Sequence, residues 1–221
     1  MLMHPKEHTL KALPEACFKY CTSLQTIILP NTLTSIGKEA FADCVRLQEI
    51  IIPSGMTTIG ESAFDNCQSL SDVFMSRKLT SIGGHAFRDT PWLEAQTDEF
   101  VIVGSQILLK YNGNKHRVEI PFGIAAISDA FEENISIESV EIPDSVTSIG
   151  QYAFKDAVNL SSITIPDKVT TIGTGAFQNC RRISSLQLPE SVKTVGADAF
   201  NGCEWLTEMI FPSGVSQLSA R

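Results

Sequence analysis

Apolar positions recur along this chain in a pattern that repeats every 23 residues. Ile-Gly begins at Ile36, Ile59, Ile82, Ile149 and Ile172, and Val195-Gly196 falls in the same series. An Ala-Phe pair follows at Ala40-Phe41, Ala63-Phe64, Ala86-Phe87, Ala153-Phe154, Ala176-Phe177 and Ala199-Phe200, and Ala130-Phe131 follows Ile127-Ser128. Three residues past the Phe stands Cys21, Cys44, Cys67, Cys180 or Cys203, with Thr90, Asn134 and Ala157 as small or polar stand-ins. An apolar residue such as Leu24, Leu47, Leu70, Ile137, Leu160, Ile183 or Leu206 comes next, and the cycle closes on proline at 30, 53, 143, 166, 189 and 212, with Pro121 in step.

Each cycle predicts one coil. The run L-x-x-I-x-[IL]-P alternates inward and outward and ends where proline stops ladder pairing, so it suits a short parallel strand. The remainder, V-x-x-I-G-x-x-A-F-x-x-C, turns the chain back: Gly permits the bend, the small Ala lets coils lie close, and the Phe rings stack into a spine, offset or edge-on. A single coil cannot bury its own apolar face, so neighbours do it for one another. The expectation is a single curved solenoid over residues 9–218, of about eight coils, with a flexible tail at 1–8 and a short one at 219–221.

The motif P-x-x-V-T-x-I-G-x-x-A-F-x-x-C-x-x-L, carried by Pro143 to Leu160 and Pro166 to Ile183, resembles the BspA-like leucine-rich repeat. The resemblance implies a leucine-rich-repeat solenoid of the α/β repeat class, with short parallel strands, turns and short helical segments. It also implies a surface or secreted bacterial protein working in adhesion or recognition, with a protein, such as a host matrix protein, or a glycan as partner.

One step departs from the period. Ala86-Phe87 and Ala130-Phe131 are 44 residues apart, which leaves about 21 extra residues near 94–115. Phe100-Val101-Ile102-Val103, then Gly104-Ser105, then Gln106 to Tyr111 reads as a β-hairpin with a Gly-first tight turn. It either widens one coil or forms a binding loop. Towards the ends, Leu10, Leu13, Cys17-Phe18 and Cys21 match the later columns, and Pro212, Val215 and Leu218 open another coil. Neither end reads as a polar cap, which implies a longer parent protein or a homodimer formed through the ends.

Charge then narrows the partners. The chain has 17 Lys and Arg against 25 Asp and Glu, a net charge of -8 that disfavours nucleic acid and anionic lipid. No apolar run is long enough to span a membrane. The six cysteines, Cys17, Cys21, Cys44, Cys67, Cys180 and Cys203, sit in columns expected to face inward; they read as free buried thiols, with a disulfide or metal staple as the alternative. His4 and His8, four apart around Glu7, would hold a metal only if that segment were helical. His85 and His116 stand alone, and the sequons at Asn134 and Asn159 lie on the repeat framework. No catalytic motif is present, so the reading is non-enzymatic, with no catalytic residue, cofactor or metal assigned.

What remains is the outward face of the strands. One column runs Thr26, Glu49, Asp72, Arg117, Ser139, Ser162, Ser185, Glu208, and the next Ile28, Ile51, Phe74, Glu119, Glu141, Thr164, Gln187, Ile210. Ile28, Ile51 and Phe74 fall on consecutive coils beside Glu49 and Asp72, and these five are the candidate ligand-facing residues. The stripe is either a protein-binding hot spot or a surface that another part of the protein covers. The serine-rich patch farther along suits a glycan or a plain solvated face. A rigid spacer that self-associates through its ends is the alternative to a recognition module.

Overall fold

The computed structural model describes residues 10–215 and 217–218. The first eight residues, with His4 and His8, and residues 219–221 lie outside the described residues. The chain forms two compact units: Met1–Leu79 with His85–Ala95, and Thr80–Gly84 with Gln96–Arg221. Both are built from coils of the same kind, and the fold is a β-solenoid.

The expected strand on the L-x-x-I-x-[IL]-P side forms in the coils after the first; residues 24–30 carry none. In the first unit Glu49–Ile51 lies parallel to Asp72–Phe74. In the second, Ser139–Glu141 runs between Arg117–Glu119 and Ser162–Thr164, and Ser185–Gln187 pairs with Glu208–Ile210. The middle residue points in and its neighbours point out, as the two-residue strand period requires.

The returning half holds a second ladder that the periodicity had suggested only as a turn. Ala12–Leu13, Ser35–Ile36 and Thr58–Ile59 pair in parallel in the first unit. Ala126–Ile127, Ser148–Ile149, Thr171–Ile172, Thr194–Val195 and Gln217–Leu218 do so in the second. The arc through Ala-Phe adds a third set of coil-to-coil bonds: the amides of Glu39, Phe41 and Asp43 donate to the carbonyls of Glu61, Ala63 and Asp65 at 2.8–2.9 Å. These arcs are turns, not helical segments, because residues with positive φ recur four apart, as at Glu39 and Asp43, Ser62 and Asn66, and Tyr152 and Asp156. A right-handed helix cannot pass through that geometry. Among the described residues the one helix is Pro91–Glu94, capped by the buried Thr90 hydroxyl, which accepts from the Leu93 amide, with proline in the first turn.

The repeat glycine also has a different job from the one expected. Gly37, Gly60, Gly173 and Gly196 do not have positive φ. A Cβ at Gly60 would lie 2.5 Å from the Lys38 amide nitrogen of the neighbouring coil, and one at Gly173 would lie 2.5 Å from that of Gln151. These four positions exclude a side chain so that backbones can touch; the bend is made by the positive-φ residues in the arc.

Inside each unit the phenylalanines form the spine. Phe18, Phe41, Phe64 and Phe87 stack with ring centroids 5.1–5.2 Å apart and planes within 12° of parallel, and Trp92 tilts against Phe87 at 4.9 Å. Phe131, Phe154, Phe177 and Phe200 stack likewise at 5.1–5.6 Å. The insertion is the expected β-hairpin, Phe100–Val103 antiparallel to Ile107–Tyr111, though its loop has three residues, with Gly104 and Gln106 both at positive φ. Ile107-Leu108 pairs with Ala126–Ile127, and Tyr111 takes the spine position 5.1 Å from Phe131. The hairpin therefore supplies the ladder rung and aromatic ring of one coil.

Candidate functional site

The strand face of the first unit carries the stripe that the sequence marks out. Ile28 is 96% exposed, Ile51 60% and Phe74 57%, whereas Ile50, between Glu49 and Ile51, is fully buried. Strand register sets Ile51 opposite Phe74 and Glu49 opposite Asp72. Ile51 and Phe74 thus lie on adjacent rungs, about 4.8 Å apart, with Ile28 at the same repeat position one coil earlier and an edge of two carboxylates. Two shallow hollows flank Ile51. One, of about 350 Å³, is lined by Thr26, Ile28, Asn31, Glu49, Ile51 and Pro53. The other, of about 560 Å³, includes Ile51, Pro53, Phe74, Arg77 and Lys78. Arg77 and Lys78 were not singled out from the sequence; they sit just past the proline column, where reading the columns one step farther would have found them.

The strand face of the second unit is polar. Arg117, Glu119, Ser139, Glu141, Ser162 and Thr164 line a hollow of about 580 Å³. His116 is not isolated, since its Nδ1 lies 3.5 Å from a Glu138 carboxylate oxygen. Lys115 pairs with Glu99 at 2.7 Å at the same edge. Farther along, Ile210 is exposed and pairs in the ladder with the polar Gln187.

The cysteines divide by position. Cys44, Cys67, Cys180 and Cys203 each donate an S–H to the carbonyl of the Phe in the preceding coil, 26 residues back, at 3.0–3.2 Å. All six are free thiols. Burial pushes Cys44 and Cys203 up to about 11 and Cys67 up to about 12, and raises Cys180 as well. Such thiols are poor nucleophiles. Cys17 and Cys21 depart from the inward-facing expectation: both are exposed, because theirs is the first described coil and no described coil stacks on its other side. The sequon asparagines serve the turns. Asn134 Oδ1 accepts from the amides of Ser136 and Ile137, and Asn159 donates to the Ile135 carbonyl. No helix among the described residues is long and apolar enough to cross a membrane.

Comparison with known proteins agrees with this architecture. The model for the BspA type leucine-rich repeat region matches residues 5–104 and 111–221. A leucine-rich cell surface protein from Faecalibacterium prausnitzii, a solved structure, is 26% identical with a TM-score of 0.53, over 94% of this chain and 65% of that one. A leucine-rich repeat protein from Bacteroides ovatus is 22% identical over 93% and 65% of the two chains, with a TM-score of 0.40. The pneumococcal vaccine antigen PcpA is 19% identical over 90% and 65%, with a TM-score of 0.44. The chain thus spans about two thirds of the length of these proteins. No curated protein matches it.

Proposed function

The chain belongs to the BspA type leucine-rich-repeat family, and from that premise we propose that it is a recognition module of a surface or secreted bacterial protein, binding another protein through the strand face of its first unit without catalysis. Repeat proteins of this family generally bind proteins and are generally not enzymes. The observation that carries the reading is the exposure of Ile28, Ile51 and Phe74 on consecutive coils. A solvated strand face has no need of three neighbouring large apolar side chains, and covering each would contribute on the order of 1–2 kcal/mol. An aromatic anchor with aliphatic neighbours inside a charged rim is the usual make-up of a protein-binding hot spot. The surface location is supported by the Faecalibacterium relative, which is described as a cell surface protein.

The test is a binding screen of the purified chain against immobilised host matrix proteins and glycans, beside a Phe74→Glu, Ile51→Glu double variant whose folding is confirmed by circular dichroism. Saturable binding that the folded variant loses establishes the module and its contact. Binding that the variant keeps moves the contact away from the stripe. Silence from both favours the spacer reading, in which the coils hold other parts of a protein apart or join copies at their ends.

A further inference from the structure

On the arc side of the first unit three carboxylates are paired with cations from coil to coil: Glu39 with Lys19, Glu61 with Lys38 at 3.1 Å, and Asp65 with Arg88 at 2.6 Å. On the strand face, Glu49 and Asp72 stand directly opposite each other in the ladder, both exposed. Among the described residues neither is in a salt bridge; Asp72 accepts a hydrogen bond from the Ser71 hydroxyl at 2.7 Å. Like charges directly opposite on neighbouring strands destabilise the pair. Placing that pair along the apolar stripe gives the stripe one acidic edge, and the cations Arg77 and Lys78 border the hollow beside Phe74, past the strand end.

Resting on the recognition reading above, we infer that the occupant of the stripe is a basic amphipathic segment of a partner protein. Its apolar side chains cover Ile28, Ile51 and Phe74, and its Lys or Arg residues neutralise Glu49 and Asp72. Charge complementarity decides the occupant. The chain's net charge of -8 attracts cationic partners at long range, the carboxylate pair gives them a local seat, and Arg77 and Lys78 repel the basic edge from the other rim. The segment is thereby oriented across the strands.

Three 16-residue peptides test this, sharing one amphipathic leucine pattern and carrying Lys, Gln or Glu at the remaining positions, with binding read by fluorescence anisotropy at low salt. The Lys peptide is expected to bind tightest. Replacing both carboxylates (Glu49→Gln with Asp72→Asn) should weaken it by about three- to tenfold, the yield of two exposed ion pairs, and salt should have the same effect. Arg77→Gln with Lys78→Gln should leave it equal or tighter. Equal or better binding by the Gln or Glu peptide, no binding by any peptide, or a Lys-peptide affinity unchanged by the carboxylate variant would each overturn the inference. A Phe74→Ser, Ile51→Ser variant separates the two levels. Loss of every peptide by this variant is the expected result; if the parent binds all three peptides alike and the variant loses them all, the stripe stands as the contact and only the basic partner falls. If it binds the Lys peptide as well as the parent does, the cation preference belongs to the general field of the protein, and both fall.

Discussion

Replacing Gly60 by alanine adds one methyl group, and the structure says it has nowhere to go. The new Cβ would lie 2.5 Å from the Lys38 amide nitrogen, 2.6 Å from the Gly37 carbonyl carbon and 2.8 Å from its oxygen, all backbone atoms that cannot rotate away. Relief requires the two coils to part locally by most of an ångström, which breaks the 2.8 Å bond from the Gly60 amide to the Ile36 carbonyl. Overpacking of this kind costs about 1–3 kcal/mol and the lost hydrogen bond about 1 more, so Gly60→Ala should lower stability by about 2–4 kcal/mol. Gly55, in the same coil, is the control. A Cβ there meets only the Leu33 and Asn31 carbonyl oxygens at 3.5 and 3.7 Å, and its φ is not positive. Gly55→Ala should therefore be neutral or stabilise by up to about 1 kcal/mol, through loss of freedom in the unfolded chain. Urea unfolding of both variants, followed by circular dichroism, measures the difference. Equal effects from the two substitutions, or a Gly60→Ala loss under about 0.5 kcal/mol, would refute the claim that this column exists for close approach of backbones.

Three further outcomes concern single side chains. Among the described residues the buried Tyr111 hydroxyl has no hydrogen-bond partner; Tyr111→Phe should keep the ring beside Phe131 and leave stability equal or higher by up to about 1 kcal/mol, and a loss larger than that in urea unfolding would show that the hydroxyl is bonded. Thiol titration of the native protein should find Cys17 and Cys21 reacting quickly, Cys44, Cys67 and Cys180 only on unfolding, and six thiols in denaturant. Because burial raises Cys44 to about 11 and Cys67 to about 12, the unfolded chain loses these protons first as pH rises. Their contribution is thus complete below the ordinary thiol range and is lost between about pH 9 and 12; a Cys67→Ala variant should lose stability less steeply across that window, and an identical slope would contradict the assignment.

Sequence alone determined the coil, its 23-residue period, which columns face inward except at Cys17 and Cys21 of the first described coil, the β-hairpin and the apolar stripe with its acidic edge. That information is written into each repeat many times over, so the in-out alternation of a strand such as Glu49–Ile51 follows from local pattern. Only the tertiary structure decided what happens between coils. The second ladder through Ser35–Ile36, the positive-φ arcs, the steric reason for Gly60 and the thiol bonds to Phe carbonyls all depend on atoms 22–26 residues apart along the chain meeting within a few ångströms. The hairpin shows the difference most clearly. Its strands were legible as alternating apolar residues, but that Tyr111 would replace a spine phenylalanine was not, because its distance from Leu108 does not match the Ile-to-Phe spacing of the other coils. The same holds for Glu49 and Asp72. Their place on the outward face was readable from the strand period, while that neither is in a salt bridge among the described residues, unlike Glu39, Glu61 and Asp65 in the arcs, emerged only when the coils were stacked.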